Sequence, residues 1–131
     1  MHPARLAPDS LLDDCVETRT KRSGPGGQHR NKVETAVILH HRPTGISAEA
    51  SERRSQADNR RVALARLRLR LAIHHRVPPP SCPTVLWQSR IRDGRIVVAV
   101  DHDDYPALVA EALDRIVAVD LDLPTAAAAL A

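Results

Sequence analysis

Aromatic residues are nearly missing from this chain: 131 residues contain no phenylalanine, one tryptophan and one tyrosine. With hydrophobic residues at 43% and aromatics at 2%, the core has to be built from Leu, Val, Ile and Ala. Cysteine is scarce too. Cys15 and Cys82 lie far apart and form no metal-ligand spacing, so nothing demands a disulfide, as suits a reducing cytosol. The start of the chain lacks an apolar run, which argues against a signal peptide or a membrane span and makes the cytoplasm the default. Histidines at 29, 40–41, 74–75 and 102 show no His-Glu-x-x-His spacing, and no Ser-His-Asp set is apparent. Neither a metal nor another cofactor is expected. There are no internal repeats.

What is present is positive charge, unevenly spread. The net charge is only +3, but residues 18–76 carry 14 Lys/Arg against 4 Asp/Glu. Residues 1–17 carry one against four, and residues 77–131 four against eight. Such clustering is an electrostatic footprint for nucleic acid. Inside the basic stretch lies Arg22-Ser23-Gly24-Pro25-Gly26-Gly27-Gln28-His29-Arg30-Asn31-Lys32. Glycine allows positive φ and close backbone approach to a ligand, and proline stiffens the way in. Alone, that pattern is equally a solvated glycine turn.

The flanks add to it. Asn31-Lys32-Val33-Glu34-Thr35-Ala36-Val37, Pro43-Thr44-Gly45-Ile46 and Glu52-Arg53-Arg54-Ser55-Gln56-Ala57-Asp58-Asn59-Arg60 follow Gly26-Gly27-Gln28 in order. Together they resemble the catalytic domain of class I peptide chain release factors, from about Asp14 to about Ala72. The Gly-Pro-Gly-Gly-Gln form looks most like the stand-alone members, which are codon-independent peptidyl-tRNA hydrolases and ribosome-rescue factors. The resemblance implies hydrolysis of the peptidyl-tRNA ester in the peptidyl transferase centre, with the ribosomal large subunit, ribosomal RNA and peptidyl-tRNA as partners. Neither a membrane nor DNA is expected as a partner.

Taken in order, residues 1–12 read as a loose arm with a turn of helix. Cys15–Thr20 alternates as a strand, Asn31–Glu34 suggests one helical turn, and Thr35–His41 is a second strand. Pro43-Thr44-Gly45 makes a turn into a third strand over 46–50. A long helix starts at Ser51 or Ser55, with Glu52 favourable in a first turn, and runs to about His74 or His75. Val62, Ala65, Leu69, Ala72 and Ile73 form the stripe expected to face the sheet. Leu64, Leu67 and Leu71 form a second line, for which the C-terminal segment is the expected cover.

Prolines over 78–83 read as a stiff linker. Val85–Ile91 is ambiguous between strand and short helix. Asp93-Gly94 signals a hairpin into a strand over 95–100. Asp101–Asp104 and Pro106 open an amphipathic helix through Leu108, Val109, Ala112, Leu113, Ile116 and Val117. An alanine-rich helix starts at Pro124. This pair could be half of a helix-turn-helix, though packing against the core is the favoured role. The predicted class is α+β: a small sheet bearing the Gly-Gly-Gln loop, packed by one long helix, with a strand-and-helix extension. The expected domains are 1–76 (core about 14–74), a linker at 77–83, and an extension at 84–131 packing on the core.

The resemblance makes Gly26, Gly27 and Gln28 catalytic through backbone geometry. The N–H of Gln28 would meet developing negative charge while its side chain excludes or orients water. In family members this glutamine is often methylated. Lys21, Arg22, Arg30, Asn31 and Lys32 would contact ribosomal RNA or the tRNA end, and Arg53, Arg54, Gln56, Asn59 and Arg60 would continue that surface along the helix. The alternative for the helix set is solvated arginines paired with Glu52 or Asp58. His29 adjoins the loop and reads as an RNA contact rather than an acid–base group. Full release factors carry stop-codon-reading domains for which 131 residues leave no room, so codon reading is not expected. The acidic, apolar C-terminal region also differs from the basic tail of rescue factors, which puts recognition of truncated-mRNA ribosomes in doubt. A non-catalytic ribosome- or RNA-binding module is the rival reading.

Overall fold

The computed structural model describes residues 1–20 and 35–131. These divide into two compact units, Leu6–Arg70 and Met1–Arg5 with Leu71–Ala131. The class is α+β, as the sequence predicts.

In the first unit, α1 (Pro8–Asp13) leads into a three-stranded antiparallel sheet in the order β1 (Cys15–Thr20), β2 (Ala36–His41), β3 (Ser47–Ala50). Residues 1–12 are not a loose arm: Ala4 and Leu11 are fully buried. Proline at the first turn of α1 starts that helix, and Arg42 secures its end by donating to the Asp13 carbonyl at 2.7 Å. The Pro43-Thr44-Gly45 turn forms as expected, with Gly45 at φ +74°. In register, Val37 opposes Ala50 and Leu39 opposes Ala48. All four are buried, so this face of the sheet carries the core, while Val16 on the other face is exposed.

The long helix α2 runs Gln56–His74. Of the two candidate starts, Ser55 is the cap: its hydroxyl accepts the Asp58 N–H at 3.0 Å. The buried stripe differs from the one predicted to face the sheet. Asn59, Ala63, Leu67 and Leu71 are buried at strict i, i+4 spacing, whereas Ala65 and Ile73 are exposed. The expectation counted apolar residues and left out Asn59, whose polar side chain begins the true stripe. Arg66 reaches the sheet from α2, donating to the Glu49 carbonyl at 2.9 Å.

The second unit contains a 3-10 turn (Pro3–Arg5), the end of α2, α3 (Val85–Ser89), a two-stranded hairpin β4 (Ile91–Arg92) and β5 (Arg95–Ile96), α4 (Tyr105–Ala118) and α5 (Leu123–Leu130). The ambiguous stretch at 85–91 is therefore mostly helix. Its cap is Thr84, whose hydroxyl oxygen accepts the Trp87 N–H at 3.1 Å. Asp93 and Gly94 take φ of 52° and 73°, the left-handed pair that a two-residue hairpin turn requires. The strand predicted over 95–100 stops at Ile96. Its partner is only two residues long, and Val97 and Val100 beyond it are exposed at 55% and 73%.

Trp87, Leu108 and Leu130 make the core here, with Ile91, Ile96 and Val98 packed around them. The indole N–H of Trp87 donates to the Leu130 carbonyl at 2.8 Å. Ala4, Ala72 and Ala110 form a second, fully buried cluster. The interior of α4 departs from its apolar pattern, because Glu111 and Asp114 are each only 4% exposed. Glu111 accepts both the backbone N–H and the hydroxyl of Thr84, at 2.8 and 2.6 Å. Asp114 accepts the Val77 N–H at 3.1 Å and pairs with Arg76 at 2.9 Å. Arg115 donates to the Pro80 carbonyl at 2.6 Å. One helix thus fastens the proline-rich segment at both ends and in the middle.

Candidate functional site

The register of β1 and β2 fixes where the glycine-rich stretch attaches. Thr20 opposes Ala36, so the chain leaves and re-enters the sheet at neighbouring positions, about 5 Å apart. Gly26, Gly27, Gln28 and His29, with Lys21, Arg22, Arg30, Asn31 and Lys32, lie outside the described residues, as does the helical turn expected over 31–34. The described part of the site is the root of that stretch and the start of α2 beside it.

Alternation along β1 puts Cys15, Glu17 and Arg19 on the core-bearing face of the sheet, opposite His41, Leu39 and Val37. Glu17 meets Arg60 of α2 in a two-pronged ion pair, 2.5 Å to Nε and 3.0 Å to Nη2. Arg19 adds a contact at 3.3 Å. The Arg60 guanidinium, foremost by its hydrogen bonds, holds the Glu17 carboxyl below the usual carboxylate range, against the opposing effect of burial. Arg60 is raised in turn by the same hydrogen bonds and charge. The pair ties the departing strand to α2. Sequence reading placed Arg60 among the RNA contacts and gave Glu17 no role; the period-two inward position of Glu17 was the available signal.

Asn59 is a correction to the expected RNA surface. It is 0% exposed, and its side chain is committed to the protein's own backbone. Its amide nitrogen donates to the Thr35 carbonyl at 2.7 Å and to the Arg53 carbonyl at 3.1 Å, while its oxygen accepts the Arg53 N–H at 2.9 Å. Arg53 and Arg54 are exposed and make no ion pair among the described residues, and Gln56 is half-buried. The local pairing weighed for this helix does occur, but on other residues. Arg61 meets Asp58 at 3.3 Å, and Arg66 meets Glu52 at 2.8 Å, where its hydrogen bond draws the exposed Glu52 carboxyl downward. What stays free at the start of α2 is the pair Arg53 and Arg54, fixed to the root of the glycine stretch through the Arg53 backbone.

Among the described residues, no group of three or more His, Cys, Asp or Glu side chains is placed to hold a metal ion. No described helix is long and apolar enough to cross a membrane.

The RF-1 domain family model matches residues 10–79, more than half of the chain. The chain belongs to the RF-1 domain family. The match encloses the resemblance seen over 14–72 and takes in β1, the glycine stretch, the hairpin and all of α2. Peptide chain release factor 2 of Variovorax paradoxus is 55% identical over 60 residues, 45% of this chain and 16% of that protein. The mouse mitochondrial protein named peptide chain release factor 1-like is 51% identical over 57 residues, 43% of this chain and 15% of its own. Peptide chain release factor 1 of Streptococcus thermophilus is 54% identical over 52 residues, 40% of this chain and 14% of its own. The aligned residues thus span only 14–16% of these relatives' own length.

Proposed function

We propose that this RF-1 domain protein hydrolyses the ester between a nascent peptide and its tRNA, in the peptidyl transferase centre of the large ribosomal subunit. The observation that carries the reading is the family match over 10–79 with Gly26-Gly27-Gln28 intact inside it. In this reading residues 1–76 act as the catalytic module in the cytoplasm, and residues 84–131 form an extension reached through 77–83. The Gly24-Pro25 approach to Gly26, like that of stand-alone members, supports action without codon reading.

The chemistry is that of a main-chain donor. Attack of water on the ester carbonyl builds an oxyanion and frees a ribose hydroxyl. The Gln28 N–H donates to that developing charge, and the Gln28 side chain orients or excludes water. Gly26 and Gly27 allow the backbone to come that close. One such donor is worth on the order of 3 kcal/mol, with further rate coming from positioning on the ribosome. Lys21, Arg22, Arg30, Asn31 and Lys32, followed by Arg53 and Arg54, face RNA phosphates, with Gln56 beside them and Arg60 bracing the root.

Peptide release from stalled ribosomes and from isolated large subunits tests this, with wild type beside Gly27→Ala and Gln28→Ala. Gly27→Ala should abolish release and leave ribosome binding, while Gln28→Ala should be milder because the N–H survives. Equal damage from both would overturn the backbone-donor account. Binding without release by the wild type would leave a non-catalytic ribosome-binding module.

A further inference from the structure

The geometry points to Asn59 as a positioning residue for peptide release, acting through the Thr35 carbonyl at the root of the glycine stretch. The inference rests on the function proposed above. A carboxamide has two N–H donors and one acceptor oxygen, and here all are used. Both donors end on backbone carbonyls, Thr35 at 2.7 Å and Arg53 at 3.1 Å, and the oxygen ends on the Arg53 N–H at 2.9 Å. These partners fix which way the amide points. Reversed, it would set an amine against an N–H and an oxygen against two carbonyls.

Thr35 stands where the chain rejoins β2, one position before the Ala36–Thr20 pair and 24 positions from Asn59. Arg53 is the exposed cation whose main chain meets the same amide twice. A single fully buried side chain therefore joins an RNA-facing residue to the point where the glycine stretch is rooted. Its partners are all main-chain groups, so the link depends on the shape and hydrogens of Asn59 alone.

Small displacements at a reacting centre are costly, about 100-fold for 1 Å. Losing the Thr35 anchor should therefore appear in the maximal release rate. Ribosome affinity, which depends on charged side chains the substitution leaves in place, should change little. Two full-length variants separate the limbs. Asn59→Asp keeps the shape and an acceptor for the Arg53 N–H but removes both donors, and Asn59→Ala removes everything. Gly45→Ala, a backbone strain in the same unit, in the turn at the opposite end of β2 from Thr35, controls for lost stability alone.

Hydrogen exchange at the Arg53 amide and the Thr35 carbonyl chemical shift are read by NMR on free protein. Release is read in single turnover across protein concentrations. The expected result is a drop of about 10- to 100-fold in maximal rate for both Asn59 variants, with the half-saturating concentration within about threefold of wild type. Arg53 protection should be lost only in Asn59→Ala, the Thr35 shift should move in both, and Gly45→Ala should release at the wild-type rate. If Asn59→Asp does not fold, Asn59→Ala carries the test. Folded Asn59 variants with wild-type maximal rate, or with the loss confined to half-saturation, overturn the inference. Should wild type release nothing on any ribosomal substrate, the proposed function fails by itself. The anchor is then judged on free protein, where an unmoved Thr35 shift in Asn59→Ala rejects it.

Discussion

Replacing Glu111 by alanine should destabilise the C-terminal unit by about 3 kcal/mol. The carboxylate is 4% exposed and takes two hydrogen bonds from one residue, the Thr84 N–H at 2.8 Å and its hydroxyl at 2.6 Å. Bonds to a charged group are worth about 1.5–3 kcal/mol each. Thr84 is half-buried, so water recovers part of the loss, which sets the figure toward the lower end. Glu111→Gln keeps the volume and one good acceptor and should cost about 1 kcal/mol. Trp87, the only tryptophan, is 9% exposed within the same unit, so its fluorescence reports this unit in a urea titration. With a slope of about 1 kcal/mol/M for so small a unit, the alanine midpoint should fall by roughly 3 M. An alanine variant within 0.5 kcal/mol of wild type would refute the view that this carboxylate fastens the proline segment.

Other consequences are equally open to measurement. Because Arg60 depresses Glu17, the stabilisation from this pair is complete above the unfolded carboxyl value of about 4.3. It is lost as pH falls through the lower folded value. Glu17→Gln should therefore flatten the acid limb of stability against pH, by at most about 1 kcal/mol for a partly exposed pair. A Glu17→Gln curve parallel to wild type below pH 4.3 would contradict it. His2 is depressed mainly by burial, so its contribution is present above about 6.5 and lost as pH falls below that. An NMR titration of its ring should give a midpoint under that of exposed histidines. Gly45→Ala meets open space, so its cost of about 1 kcal/mol should come from φ +74° alone, with Gly45→Asn milder in the same melt. Removing Arg53 and Arg54 together should weaken ribosome binding and lower its salt dependence by about two counterions, as measured by binding across a salt series.

The family core was legible because its signals are local. Alternation at 15–20, proline and glycine at 43–45, and Asp93-Gly94 each set a backbone state through sterics, whatever packs around them. The limits of α2 were legible for the same reason, from Ser55 at one end and the proline run beyond the other. Polar residues that work inside were not. Asn59, Glu111 and Asp114 look like surface residues in a hydrophobicity pattern, and only their tertiary partners make them interior. That single misreading put Asn59 on the RNA surface and drew the sheet-facing stripe through Ala65 and Ile73, while Leu67 and Leu71 of the second line are the residues that are buried. The short β5 failed for a related reason: five β-branched or small residues promise a strand, but a ladder extends only as far as its partner.

Five residues are far fewer than an isolated helix needs to persist in water. For α3, the hydroxyl that starts it is gripped from a position 27 residues later, and its indole is gripped from 43 residues later. It is therefore a product of assembly and not a seed for it. During synthesis, Val85–Ser89 would emerge as coil and acquire its turns only when α5 arrives to close around them.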